Sequence, residues 1–164
     1  MDRTINVPTL ALTFLSNRNQ PRFEFSREGQ EAIDGVRTWK IAYRERGSPT
    51  LIATTDGVDV PASGRLWIDP ATGAVVRTEL KTDSFGVRSE VTVTFAFDPS
   101  VGSRVPAEMV ERGQVQGGTR RDQGPQPVPL ATDDQIVIDA TATYSNVRRF
   151  AVWVDEKLLG TIRR

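Results

Sequence analysis

The chain has 164 residues, is 38% hydrophobic, and balances 21 Lys and Arg against 21 Asp and Glu. That length fits one domain with a sizeable core. The charge balance removes any global pull towards nucleic acid or acidic lipid, and no apolar run approaches the ~20 residues of a spanning helix.

There is no Cys and no His. Cysteine nucleophiles, serine–histidine pairs, disulfides, and thiolate or imidazole metal sites are therefore excluded. Met1-Asp2-Arg3-Thr4 lacks the charged and then apolar segments of a secretion signal. Either the chain is cytoplasmic, or it is the C-terminal part of a longer protein. Residues 1–164 read as a single domain in both cases.

Residues 5–17, INVPTLALTFLSN, carry two patterns. Pro8 at a first helical position, with Asn6 as a nearby cap, predicts a short helix with Leu10 and Phe14 on one side. The alternation Leu10, Leu12, Phe14 fits a strand instead. The helix is the preferred reading. Arg18 to Pro21 is a break, and Arg22 to Ser26 is a short strand with Phe23 and Phe25 on one face. Gly29 to Gly35 reads as a loop or turn. Val36 to Glu45 is a long strand, with Trp39, Ile41 and Tyr43 on one face and Thr38, Lys40, Ala42 and Arg44 on the other. Gly47-Ser48-Pro49 turns the chain, Leu51 to Thr54 is a short strand, and Asp56-Gly57 is a hairpin signal. Pro61 makes Val58 to Ser63 an edge or irregular segment.

Residues 64–98 carry the clearest pattern. Asp69-Pro70-Ala71-Thr72-Gly73 and Asp83-Ser84-Phe85-Gly86 are turn signals that divide this stretch into three extended runs. In the last run Val87, Val91, Val93, Phe95 and Phe97 alternate with Arg88, Glu90, Thr92 and Thr94. That period of two marks a strand with one face in a core and one in water. The prediction is a three-stranded antiparallel meander. Asp98 to Gly102 is a loop, and Arg104 to Arg112 is another strand. Residues 113–134, rich in Gly, Pro, Gln and Asp, predict a long flexible loop. Gln135 to Asn146 alternates as a strand, Phe150 to Val154 adds a short one, and the tail frays.

The expected fold is mainly β. It is a single strongly curved antiparallel sheet, an unclosed half-barrel of about eight strands, with at most one short N-terminal helix. Such a sheet leaves a concave apolar face that one helix is too small to cover.

The order of these elements resembles a known superfamily. The amphipathic strand Val36 to Tyr43 leads to Gly64-Arg65-Leu66-Trp67-Ile68-Asp69-Pro70-Ala71-Thr72-Gly73. An Arg- and Glu-bearing strand follows, then an alternating strand ending in Phe95, then Val105-Pro106-Ala107-Glu108-Met109. This order is similar to that of the bacterial periplasmic outer-membrane lipoprotein carriers and their relatives, over residues 36–110. Asn6 to Leu12 and Ala142 to Phe150 also resemble stretches of uncharacterised predicted secreted proteins of soil bacteria. The carrier resemblance implies an unclosed curved sheet, a periplasmic or secreted setting, and a lipid or other apolar small molecule as partner. It implies that Trp39, Tyr43 and Trp67 line the ligand site. The plainer reading makes the same three residues core aromatics.

Other candidates are weaker. Asp69, Glu79 and Glu90 resemble an acid–base set for glycosides, against a solvated face in which Arg77 and Arg88 pair with Glu79 and Glu90. Arg120-Arg121 and Arg148-Arg149 lack the interleaved aromatics of a nucleic-acid surface. Asp133, Asp134 and Asp139 lack calcium-loop spacing, and Gly117-Gly118-Thr119 lacks the lysine of a phosphate loop. The expectation is a non-enzymatic binding domain without a cofactor, a metal or nucleic acid. The alternative is a structural or interaction module that closes its apolar face against a second copy, an upstream domain or another partner.

Overall fold

The structure, a computed structural model, describes residues 7–84, 86–115 and 136–148. The expected cap Asn6, most of the 113–134 loop, the 150–154 strand, Arg149 and the tail lie outside the described residues. Among the described residues seven strands form one antiparallel sheet in simple chain order, with each strand beside the next. They are β1 Phe23–Ile33, β2 Val36–Glu45, β3 Ala62–Ile68, β4 Val75–Ser84, β5 Val87–Asp98, β6 Ser103–Val115 and β7 Ile136–Thr143. Over the described residues the sheet is curved and does not close, and one short α-helix, α1 Leu10–Thr13, accompanies it.

Turn chemistry sets the register. The β3–β4 hairpin closes through Asp69 N–H to the Ala74 carbonyl at 2.9 Å and Gly73 N–H to the Asp69 carbonyl at 2.8 Å. Gly73 takes a φ of 73°, which glycine adopts without steric cost. The Asp69 carboxylate accepts from Ala71 N–H at 2.9 Å and from the Thr72 hydroxyl at 2.8 Å. The β5–β6 loop repeats this device. Asp98 accepts from the Ser100 N–H and hydroxyl, at 2.8 and 2.6 Å.

Three elements differ from the sequence expectation, the first being β6, which runs on through residues 113–115 where the sequence predicts the start of the long loop. β1 does not stop at Ser26 but runs on to Ile33. Gly29 marks a register shift after Arg27 within the strand rather than a loop. The turn itself is Asp34-Gly35, both at positive φ (47° and 80°), the two-residue arrangement whose twist matches paired strands. Leu51 to Thr54 is not a strand either. It contributes one isolated bridge, Ala53 to Asp59. Asp59 organises this loop by accepting from the Ser48 hydroxyl at 2.7 Å and the Thr50 N–H at 2.9 Å.

The register assigns the faces. Partners across β1 to β7 on one face are Phe25, Tyr43, Gly64, Leu80, Val91, Glu111 and Ala140. The next row on that face includes Ile41, Leu66, Thr78, Val93, Met109 and Ala142. This is the apolar face. The residues of α1 and its flanks, Leu10, Ala11, Leu12, Phe14 and Leu15, pack against it, as do Ile52 and Val60 from the loop between β2 and β3. Phe14 is fully buried, 4.7 Å from Phe23 and 5.6 Å from Tyr43 between ring centres. Four aromatics thus meet over β1 and β2, with Phe25 the fourth.

Candidate functional site

The three aromatics that the carrier resemblance points to do not share one surface. Tyr43 is buried in the aromatic nest on the apolar face. Trp39 shares that face by alternation but stands at its margin, 39% exposed, with the Arg27 guanidinium 4.7 Å from its ring centre. Trp67 lies on the opposite face. There it packs in a small second cluster with Ile33, Val36 and Val76. Val76 is the extra residue at a bulge between β3 and β4. The Trp67 indole N–H donates to Glu31 at 2.9 Å, and the Lys40 ammonium sits 5.6 Å from its ring centre. The apolar run Leu66-Trp67-Ile68 is therefore covered on both sides.

The apolar face is unevenly filled. Over β1 to β4 it is occupied by the N-terminal segment and the 50–60 loop. Along β7 its residues are more open. Ile138, Ala142 and Tyr144 are half-buried and Ala140 is exposed. Tyr144 is anchored by its N–H to the Ala107 carbonyl at 2.9 Å, and its hydroxyl points at the Met109 sulfur, 3.7 Å away.

The other face is polar and laddered with charge. Arg65 donates to Glu28 at 2.8 Å and to Glu79 at 3.0 Å. Lys81 lies 3.4 Å from Glu79 and 3.3 Å from Glu90. The hydrogen bond from Arg65 holds the Glu28 carboxyl below its ordinary pKa, and the Trp67 N–H does the same for Glu31. Glu79 and Glu90 thus flank a shared ammonium, the arrangement of a cross-strand ion ladder. Asp69 is occupied in its turn, its pKa lowered first by the Thr72 hydroxyl and then by the Ala71 N–H. Asp139 pairs loosely with Arg112 at 3.8 Å. Among the described residues no three acidic, His or Cys side chains are grouped to hold a metal, and no helix is long and apolar enough to cross a membrane.

A hollow of about 500 Å³ lies on this polar face over β1 to β4. Its floor is made of small residues, Ser26, Ala42, Ser63 and Gly64, and its walls include Arg44, Arg65, Glu79 and Lys81. Of the lining residues the linear sequence singles out only Glu79, as an acid–base candidate, and Tyr43, as an aromatic of the apolar site. Each strand simply places a small residue two positions from a long charged one. Only the register of three neighbouring strands brings the small ones together.

Comparison of the chain with family models, with curated proteins and with solved structures finds no match in any of the three.

Proposed function

We propose that this is a non-enzymatic binding domain that holds a lipid or another apolar small molecule on the apolar face of its open sheet. The observation that carries this reading is the uneven cover of that face. Ile138, Ala140, Ala142 and Tyr144 offer a contiguous apolar strip along β7 that remains partly accessible. Covering such a strip with an apolar ligand yields roughly 25 cal/mol per Å² removed from water. The resemblance of residues 36–110 to the lipoprotein carriers supports the same reading, together with its periplasmic or secreted setting. Native mass spectrometry of gently purified protein, with organic extraction of the same sample, tests it. A reproducible added mass that extracts as lipid is expected. A bare monomer mass together with no saturable binding of an apolar fluorescent probe overturns it.

The same exposed strip supports a second reading, an interaction module that closes its apolar face against a second copy or a partner. A bare dimer mass, with the strip protected in the dimer, favours that reading over ligand carriage.

A further inference from the structure

The hollow on the polar face has an unbalanced lining. Three cations, Arg44, Arg65 and Lys81, face two carboxylates, Glu24 and Glu79. Arg65 and Lys81 are both engaged by Glu79. Glu24 is the direct cross-strand neighbour of Arg44, yet its carboxylate pairs with Arg46 instead. Arg44 is thereby left without an ion partner among the described residues. The hydroxyls of Ser26 and Ser63 likewise have no hydrogen-bond partner among the described residues. Ser63 is the direct neighbour of Arg44 on β3, and Ser26 faces Ala42 on β1. A guanidinium with five donors and two hydroxyls therefore surround a depression floored by Ala42 and Gly64. Guanidinium matches planar or tetrahedral oxyanions through paired N–H donors.

We infer that this hollow is a binding site for a small organic oxyanion, a carboxylate or phosphate ester whose charged end is held by Arg44 and whose neighbouring polar groups meet Ser26 and Ser63. Glu79 and Glu24 on the walls disfavour a second charge far from Arg44, so compact ligands with a single anionic end fit best.

The test is an amide NMR titration of the whole chain with inorganic phosphate and, separately, with propionate, at constant ionic strength. Saturable shifts centred on Ser26, Arg44 and Ser63 are expected with at least one probe. Phosphate alone saturating assigns a phosphate-bearing ligand, and propionate alone saturating assigns a carboxylate. Arg44→Gln should weaken binding by about tenfold while leaving the melting temperature unchanged, because Arg44 is exposed and unpaired. Ala42→Leu, which fills the floor without altering charge, should weaken it comparably. Linear shifts without saturation overturn the inference, as does equal affinity in Arg44→Gln. A response spread evenly over remote cations such as Arg88 and Arg112 also overturns it.

Discussion

Tyr43 lies directly across from Gly64, and its hydroxyl reaches past that glycine to donate to the Glu79 carbonyl on the next strand at 2.8 Å. A side chain at position 64 leaves no room for this. A Cβ there would fall 1.9 Å from the Glu79 carbonyl oxygen and 2.8 Å from the Tyr43 hydroxyl. One buried aromatic thus ties β2, β3 and β4 together, and burial pushes its phenol pKa well above the ordinary value.

Gly64→Ala should therefore be far more damaging than its size suggests. The obstacle is backbone and cannot rotate away, so a loss of about 3 kcal/mol or more is expected in urea unfolding. Tyr43→Phe keeps the ring packing and removes only the hydrogen bond, leaving the Glu79 carbonyl without its Tyr43 donor. A milder loss of about 1–2 kcal/mol is expected. Equal losses for the two variants would show that the steric fit at Gly64 is not the dominant constraint.

Phe14 fixes the N-terminal segment to the sheet. Its ring stacks on Phe23 and meets Tyr43 edge-on. Phe14→Ala should cost about 3–5 kcal/mol. It should also open the apolar face over β1 and β2, seen as faster amide exchange of β1 and increased binding of an apolar dye. A change under about 1 kcal/mol would mean that the segment is not a stable cover.

Glu45 is buried on the apolar face and carries the loop that follows β2. Its carboxylate accepts from Leu51 N–H at 2.8 Å and from Ala62 N–H at 3.3 Å, with the Arg22 Nε 3.7 Å away. Glu45→Ala leaves those N–H groups without their acceptor, at about 1–3 kcal/mol. Proteolysis should then appear first within residues 46–61. Glu45→Gln keeps one acceptor oxygen and should fall between the two.

The acid side of the stability profile follows from carboxylates whose pKa values are lowered in the folded state. Asp69, Asp98 and Asp59 are held down chiefly by hydroxyl and N–H donors, and Glu28 by Arg65. A lowered folded pKa gives stability that is present above the unfolded value and is lost as pH falls through the folded one. The melting temperature should thus hold down to about pH 4 and fall below it. Asp69→Asn and Asp98→Asn should each flatten that fall. A profile unchanged in the double variant would contradict this assignment.

Much of the fold was legible in the chain, and the reason is local. Asp69 to Gly73 and the alternation from Val87 to Phe97 specify a turn and a strand by their own chemistry, and the meander around them follows. Asp34-Gly35 carried an equally strong hairpin signal, but Gly29 masked it, because a glycine at a bulge reads as a break. The site was much less legible. Trp67 sits beside Leu66 and Ile68, so periodicity cannot assign its face, and its pairing with Lys40 and Arg77 places it opposite the apolar face. The hollow over Ala42 depends on the registers of β1, β2 and β3 taken together, which no single segment encodes.

Trp67 and β7 separate the two faces experimentally. Trp67→Phe, on the polar side, should leave binding of an apolar probe unchanged. Ala140→Lys, on the exposed strip and opposite Glu111, should weaken it by about tenfold with little loss of stability. The reverse pattern would move the apolar site to the Trp67 face.

The most direct measurement is native mass spectrometry of gently purified protein, paired with organic extraction. A reproducible adduct that extracts as lipid, and that is lost in Ala140→Lys, is the predicted result. A bare monomer mass in the wild-type chain, with no saturable uptake of an apolar probe, would contradict the binding-domain reading at its centre.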